Sequence, residues 1–218
     1  MKKRIAIVSS IVLLIVAIAG GCLWAFPIMT VQKFEIDGAV RSSAEDVETA
    51  SGIAKGTNMV RVAAHDAAGS VTQLPWVRSA TVTRSFPNTV RIEVVERTDV
   101  GFVDRSDGQH LFDGKGRAFV IDSPSEGSVK VTGPSQDDPE VLSAVAESIC
   151  AIDPGIRSTI DHIEAPDRYS LNLVLHDGRQ IFWGSSESAH DKAATLMIAL
   201  SRAEQRLDIS GAPVIAVR

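Results

Sequence analysis

The sequence predicts a single N-terminal transmembrane helix followed by an α+β ectodomain of two modules. The first is built as β-α-α-β-β; the second is a mixed β/α domain ending in a long helix and a C-terminal edge strand. Three observations predict this. Residues 5–26 carry no charged side chain. Between residues 30 and 98, apolar residues pass from period-two spacing to three-and-four spacing and back again, which is the order strand, helix, helix, strand, strand. Beyond residue 99, turns such as Asp107-Gly108 and Asp177-Gly178 punctuate further short apolar runs, with helical patterns between and after them.

The 22 uncharged residues of the first stretch, at about 1.5 Å rise each, make roughly 33 Å of helix, enough to cross a bilayer core. Lys2, Lys3 and Arg4 precede it, and no charge follows until Lys33, so the basic residues keep the N-terminus inside and the remainder is exported. Residues 1–4 are then a cytoplasmic tail and 5–26 the membrane helix. Two other readings compete. A cleaved signal peptide has an apolar core of only about 7–15 residues, shorter than this one. A lipoprotein signal is suggested by Ala19-Gly20-Gly21-Cys22, although lipid-attachment boxes usually carry a Leu-like residue where Ala19 stands.

Past the helix stand 19 basic and 27 acidic residues, a formal charge of −8, which argues against a general affinity for nucleic acid. With Cys22 inside the apolar stretch, Cys150 has no partner for an intramolecular disulfide, so the fold rests on its core. The roughly 190 exported residues suit one large or two small domains.

The first module opens with Phe34 and Ile36 alternating with Lys33 and Glu35, a short strand that turns at Asp37-Gly38. Ser42 and Glu45 fit a capping box for a helix through Val47, Ala50 and Ile53, with Gly52 as terminator. Ala64, Ala67, Ala68, Val71 and Leu74 keep helical spacing until Pro75 stops it, giving a second helix with a small packing face. Ala80, Val82 and Arg84 then alternate with Thr81, Thr83 and Ser85. Beyond Phe86-Pro87-Asn88, Val90, Ile92 and Val94 alternate with Arg91 and Glu93, completing an antiparallel hairpin. Three strands with two helices on one face make an α+β layer of about 70 residues.

In the second module, residues 100–103 form a short strand, Asp107-Gly108 a turn, and Leu111-Phe112-Asp113-Gly114-Lys115-Gly116 a strand end leading into another tight turn. Residues 122–139 are rich in Ser, Gly, Pro and Asp around Val129-Lys130-Val131, a loop holding a brief strand. Asp138 and Pro139 open a helix through Val141, Leu142, Val145, Ile149 and Ile152. Strands at 170–175 and 179–183 are joined by His176-Asp177-Gly178, a strong hairpin signal. The longest helix of the exported part is expected over 186–206, burying Ala193, Leu196, Met197, Leu200 and Leu207. Glu187 and Asp191 lie early in it, and Arg202 and Arg206 late, as the helix dipole favours. Residues 207–217 are apolar and β-prone, interrupted at Gly211 and Pro213, and read as a terminal edge strand.

Several pieces carry a family likeness: Phe34-Glu35-Ile36-Asp37-Gly38, Gly52-Ile53-Ala54-Lys55-Gly56-Thr57-Asn58, Leu74-Pro75-Trp76-Val77, Arg84-Ser85-Phe86-Pro87 and Glu96-Arg97. In this order, behind a single anchor, they resemble the POTRA domain of the FtsQ/DivIB cell-division family, over 30–98. The stretch Leu111-Phe112-Asp113-Gly114-Lys115-Gly116 looks like the start of that family's β domain, over 99–218, and Asp177-Gly178, Phe182-Trp183-Gly184 and Lys192 resemble its actinobacterial members. The resemblance implies a divisome scaffold of the cytoplasmic membrane at the division septum. Such a protein has no catalytic activity and no cofactor, and joins the membrane-anchored FtsB and FtsL to septal wall-synthesis proteins. It also implies that the last strand and the preceding helix receive FtsB by strand addition. Two departures stand out: Thr98-Asp99 occupies a place where the family more often has proline, which is expected to loosen one turn, and the tail before the anchor has only four residues.

The tail is also a candidate partner site on physical grounds, because an edge strand shows unpaired N–H and C=O groups that another chain can extend. Its backbone would supply affinity. Asp208, Ser210, Ala212 and Val214 would face one way and Ile209 and Ile215 the other, with Ala216 and Val217 completing the open stretch. The plainer alternative is a paired inner strand. A second docking edge is expected in the first module, either on the strand near 31–36 or on the hairpin strand 89–96.

Catalytic spacings are missing: there is no Gly-rich phosphate loop, Cys-x-x-Cys, Ser-x-x-Lys or Gly-x-Ser-x-Gly. The five histidines are scattered, and Asp161-His162-Ile163-Glu164 is the close grouping with ligand potential. On a strand His162 and Glu164 share a face, as a metal pair could, although adjacent polar residues at a strand edge are commoner. Trp76 after Pro75 reads as a lid folded over a small core rather than as a contact residue. Two further function classes compete. One is a lipid-anchored exported enzyme acting on cell-wall material, motivated by Cys22 and the exported His and Asp residues and opposed by the missing catalytic motifs; the other is a POTRA-type chaperone for outer-membrane barrels, against which stands the lack of long alternating barrel strands.

Overall fold

In the computed structural model, which describes residues 11–18, 20–21 and 29–217, the chain divides into two units, Met1–Arg97 and Thr98–Arg218. Residues 11–18 and 20–21 are helical, and Ile11 through Ile18 are all exposed. The rest of the expected anchor, with Lys2, Lys3 and Arg4, lies outside the described residues. No helix among the described residues is long and apolar enough to cross a membrane.

In the first unit the alternation at Lys33–Asp37 forms β1. Helices α1 (Ala44–Ala50) and α2 (Ala64–Val71) follow, and then β2 (Val77–Ser85) and β3 (Thr89–Glu96). The sheet order is β1-β3-β2, with β1 parallel to β3 and β2 antiparallel to it. Val47, Ala67 and Val71 of the helices pack with Val82, Val90, Ile92 and Val94 of the sheet in one apolar core. This returning order places β3 in the middle, so the hairpin strand 89–96, expected as a possible docking edge, is paired on both sides. Among the described residues the outer strands of this sheet are β1 and β2.

Two local expectations shift. The cap of α1 is Ser43, not Ser42: the Ser43 hydroxyl accepts from the Asp46 N–H at 3.0 Å and donates to the Asp46 carboxylate at 2.7 Å. Ser42 is occupied elsewhere, giving its N–H to Glu96 at 2.8 Å. Helix α2 closes at Val71, and the backbone tightens into i to i−3 turns at Gln73 and Leu74 before Pro75. Trp76 is buried and takes the Arg41 guanidinium over its ring at 4.5 Å.

The second unit runs β4 (Asp99–Arg105), β5 (Gly108–Asp113), β6 (Ala118–Ile121), β7 (Val129–Thr132), α3 (Pro139–Ala151), α4 (Pro154–Arg157), β8 (Ile160–Glu164), β9 (Leu171–Leu175), β10 (Gln180–Gly184), α5 (Ala189–Leu200), β11 (Arg206–Asp208) and β12 (Ala216–Val217). All its strands join one nine-stranded sheet, ordered β12-β11-β10-β9-β8-β7-β4-β5-β6. Helix α3 starts where Asp138 caps the Glu140 N–H at 2.8 Å and Pro139 takes the first turn. Its Val141, Leu142, Val145 and Ile149 share one core with Phe112, Leu173, Ile181 and Trp183 of the sheet and Leu196 of α5.

The helix expected over 186–206 is shorter than its composition suggests: α5 has 12 residues against 13 in α3. Sheet pairing overrides helix propensity here, because the Gln205 C=O accepts from the Gln180 N–H at 2.9 Å and Leu207 enters the sheet beside Ile181. The cation at the end of α5 is neither Arg202 nor Arg206. Arg179, from the β9–β10 hairpin, donates to the Leu200 and Arg202 carbonyls at 3.1 and 2.7 Å, satisfying acceptors that the helix leaves open.

Asp99 also departs from expectation. It does not loosen its turn: the buried carboxylate accepts from the Ser125 N–H at 2.8 Å, the Ser125 hydroxyl at 2.6 Å and the Ser128 hydroxyl, and so ties the loop before β7 to the start of β4.

Candidate functional site at the C-terminal sheet edge

The tail is two strands and a turn. Residues Arg206–Asp208 lie parallel to β10, in the register Gln180↔Arg206 and Phe182↔Asp208, and the Ile209 N–H extends this pairing to the Phe182 C=O at 3.0 Å. On its other side β11 pairs antiparallel with β12, Leu207 opposite Val217 and Asp208 opposite Ala216. Asp208 and Ile209 therefore sit on the inner strand that was the plainer alternative, and the open edge is β12.

The reversal between them begins at Asp208, whose Oδ1 accepts from the Ser210 N–H at 2.9 Å and the Ser210 hydroxyl at 2.7 Å. The Ala212 N–H then bonds the Ile209 C=O at 3.1 Å, and the Val214 N–H the Gly211 C=O at 3.3 Å. Because the chain turns here, the expected alternation through Ser210, Ala212 and Val214 does not hold as one strand face. Leu207 and Ile209 are buried, Ile215 packs on the core, and Val214 and Val217 are 68% and 63% exposed. Ser210 packs so closely on the end of β10 that a Cβ at Gly184 would stand 2.8 Å from its own Cβ. The site is thus a two-residue edge strand flanked by exposed Val214, on a base riveted to the core by Leu207 and Ile209.

The preceding helix buries Ala189, Lys192, Leu196 and Ala199 and exposes Met197 and Ile198, at 62% and 58%. Lys192 is buried and donates to the Ser185 C=O at 2.9 Å. Burial pushes its pKa below the ordinary lysine value, opposed by the charges of Glu187 and Asp208. No sequence signal marked this lysine as a core residue; its place at the helical spacing of Ala189 and Leu196 is the clue in retrospect.

The grouping at 161–164 lies on β8. The His162 ring bonds Asp161 at 2.7 Å and stands 3.8 Å from Glu164, while His176 approaches Asp161 at 3.3 Å. Asp161 is held below the usual carboxylate range, chiefly by the His162 hydrogen bond. Among the described residues no three His, Cys, Asp or Glu side chains are placed to hold a metal ion.

The family model described as "POTRA domain, FtsQ-type" matches residues 29–97, and that described as "Cell division protein FtsQ/DivIB, C-terminal" matches 101–212. The chain belongs to the FtsQ/DivIB family. Cell division protein FtsQ of Corynebacterium glutamicum is 41% identical over 220 residues, covering 100% of this chain and 99% of that one. Cell division protein FtsQ of Mycobacterium tuberculosis is 32% identical, over 98% of this chain and 68% of that one. The major extracytoplasmic domain of DivIB from Geobacillus stearothermophilus overlays with a TM-score of 0.37 at 9% identity, over 49% of this chain and 98% of that one. Membership gives the chain a role in cell division as a divisome component. The two matched regions carry the two units: the FtsQ-type POTRA region holds the β1-β3-β2 sheet, and the FtsQ/DivIB C-terminal region holds the nine-stranded sheet up to the turn before β12.

Proposed function

We propose that the protein is a single-pass membrane scaffold of the divisome, N-terminus inside and both units outside, that recruits a membrane-anchored partner by adding a strand to β12. The anchor is residues 5–26, oriented by Lys2, Lys3 and Arg4, and the exposed apolar helical stretch from Ile11 to Ile18 supports it. The observation that carries the docking site is that β12 is the last strand of the nine-stranded sheet, with Ala216 and Val217 exposed and Val214 beside them. A short, uncharged edge on a packed base offers backbone groups to an incoming strand, and the exposed valines offer apolar contact. FtsB is the partner this reading selects, with FtsL bound alongside. Anchoring both chains in one bilayer raises their effective concentration, so two residues of pairing and a few apolar contacts suffice. The work is recruitment, with no catalytic step.

Co-purification of the full chain with full-length FtsB tests the site. Val217→Asp combined with Val214→Asp is expected to abolish capture while circular dichroism and melting stay unchanged, since both side chains face solvent. Undiminished capture by this variant moves the site away from β12. Depletion of the protein is expected to give filamentous cells; division at normal length contradicts the scaffold role.

A further inference from the structure

The open face of the second sheet holds a recess of about 280 Å³ at β9, β10 and β11. Leu171, Leu173, Ile181 and Leu207 of these strands point into the core, so the alternate residues Asn172, Gln180, Phe182 and Arg206 line the other face. The register sets Arg206 beside Gln180 and Phe182 beside Asn172, and Ser170 stands at the rim.

These polar groups hold unspent bonding capacity. The Ser170 hydroxyl, the Gln180 amide and the Arg206 guanidinium make no side-chain hydrogen bond or ion pair among the described residues, and Asn172 spends one N–H on Glu164 at 3.1 Å. Three unpaired side chains converging on one recess differ from polar residues scattered over a sheet face, which bond one another or water separately. Among the described residues Arg206 is also the one formal charge lining the recess, yet residues 98–218 hold 11 basic against 19 acidic residues. A unit so negative repels a polyanion, whereas one carboxylate seated on a guanidinium is paired within far less than the Debye length of about 8–10 Å.

We propose that this recess binds the C-terminal end of a short peptide. The Arg206 fork takes the carboxylate, because a guanidinium presents paired planar donors to two oxygens. The Gln180 and Asn172 amides, each both donor and acceptor, match the adjacent peptide group. At the low end of ligand-pocket volumes, about 300 Å³, the recess takes one or two residues. This site is independent of strand addition at β12, since it lies on the face of the sheet and not on its edge.

Chemical-shift mapping of the isotope-labelled full chain in detergent micelles tests it, with N-acetyl-L-Ala-L-Ala and N-acetyl-D-Ala-D-Ala as separate probes. At least one is expected to shift the amides of Asn172, Gln180, Phe182 and Arg206 with a dissociation constant on the order of 1 mM, the range for so few ligand atoms. The same peptide as its C-terminal amide is expected to bind at least about tenfold more weakly, as is the acid to Arg206→Gln, while Arg206→Lys retains part of the affinity. Preference for the L peptide assigns the site to protein C-termini, and preference for the D peptide to wall peptides. Absence of shifts at these residues with both probes, equal binding of acid and amide, or undiminished binding by Arg206→Gln overturns the proposal.

Discussion

Asp208 Oδ1 holds both the backbone N–H and the hydroxyl of Ser210, at 2.9 and 2.7 Å, and this pair of bonds turns the chain from the inner strand β11 toward the edge strand β12. Asp and Ser start turns by this local bonding because the side-chain oxygen imitates a backbone carbonyl. Asp208 is also the residue opposite Ala216 in the ladder, so its side chain and its backbone fix the same strand from two directions.

Asp208→Ala should therefore release β12 without unfolding the unit, because Leu207 and Ile209 remain buried on either side. The expected cost to global stability is about 1 kcal/mol, the scale of a hydrogen bond with solvent access. The expected local effect is larger: amide exchange at Ala216 and Val217 rises to the rate of a frayed terminus, and partner capture falls with it. Unchanged exchange there removes the Asp208–Ser210 pair from the account of the edge.

Glu96 of the first unit is a second such device, read over a long sequence distance. Its carboxylate accepts from the N–H groups of Val40, Arg41 and Ser42 at 3.1, 3.0 and 2.8 Å. Burial works against its charge, and the backbone donors, Ser42 foremost, outweigh burial and hold the pKa below the usual value. A depressed carboxylate contributes stability that is complete above its unfolded pKa, about 4.3, and lost as pH falls through the folded value. Glu96→Gln is expected to cost about 1–2 kcal/mol at neutral pH and to flatten this acid limb, measured by exchange protection of amides 40–42 between pH 6 and pH 3. A limb of the same steepness in the variant contradicts the assignment.

How much of this was legible depended on how local the cause was. Asp138 and Pro139 announce α3 because cap and first turn lie within three residues, and His176-Asp177-Gly178 announces its hairpin for the same reason. The cap of α1 slipped from Ser42 to Ser43 because Glu96, more than fifty residues away, accepts from the Ser42 side chain as well as from its N–H. The end of α5 was misplaced because residues 201–206 have helical composition and their fate is decided by pairing with Gln180. In the tail, residues 207–217 look like one apolar strand, and the fold makes two, since a sequence pattern cannot show that both sides of β11 are taken. The family motifs were legible where they are glycines or turn residues, whose roles are set by nearby backbone.

Asp99 makes a pH prediction of the same sign in the second unit. Burial opposes its charge, and the Ser125 and Ser128 hydroxyls with the Ser125 N–H more than compensate, keeping its pKa below the ordinary aspartate value. Its contribution is present above the unfolded pKa of about 3.9 and disappears as pH falls through the folded one. Asp99→Ala removes all three of these hydrogen bonds and is expected to cost about 2–3 kcal/mol in denaturant unfolding at pH 7. Ser128→Ala alone should cost about 1 kcal/mol, since Ser125 keeps the carboxylate bonded.

Gly116 and Gly178 separate two reasons for glycine at a turn. Both have left-handed backbone, φ 73° and 85°, so alanine at either meets the same conformational penalty of about 1–2 kcal/mol. They differ in what a Cβ would touch. At Gly178 there is nothing within 4 Å, whereas at Gly116 a Cβ would lie 2.4 Å from the Ser143 N and 2.5 Å from the Leu142 carbonyl carbon. Those are backbone atoms of α3, whose Leu142 and Val145 are fixed in the core, so the contact can be relieved only by moving the helix. Gly178→Ala is accordingly expected to cost about 1 kcal/mol in chemical denaturation, and Gly116→Ala to cost about 1–3 kcal/mol more. Equal losses at the two sites would show that α3 can shift freely, and would remove the close approach of turn and helix as the reason for glycine in the Leu111-Phe112-Asp113-Gly114-Lys115-Gly116 motif.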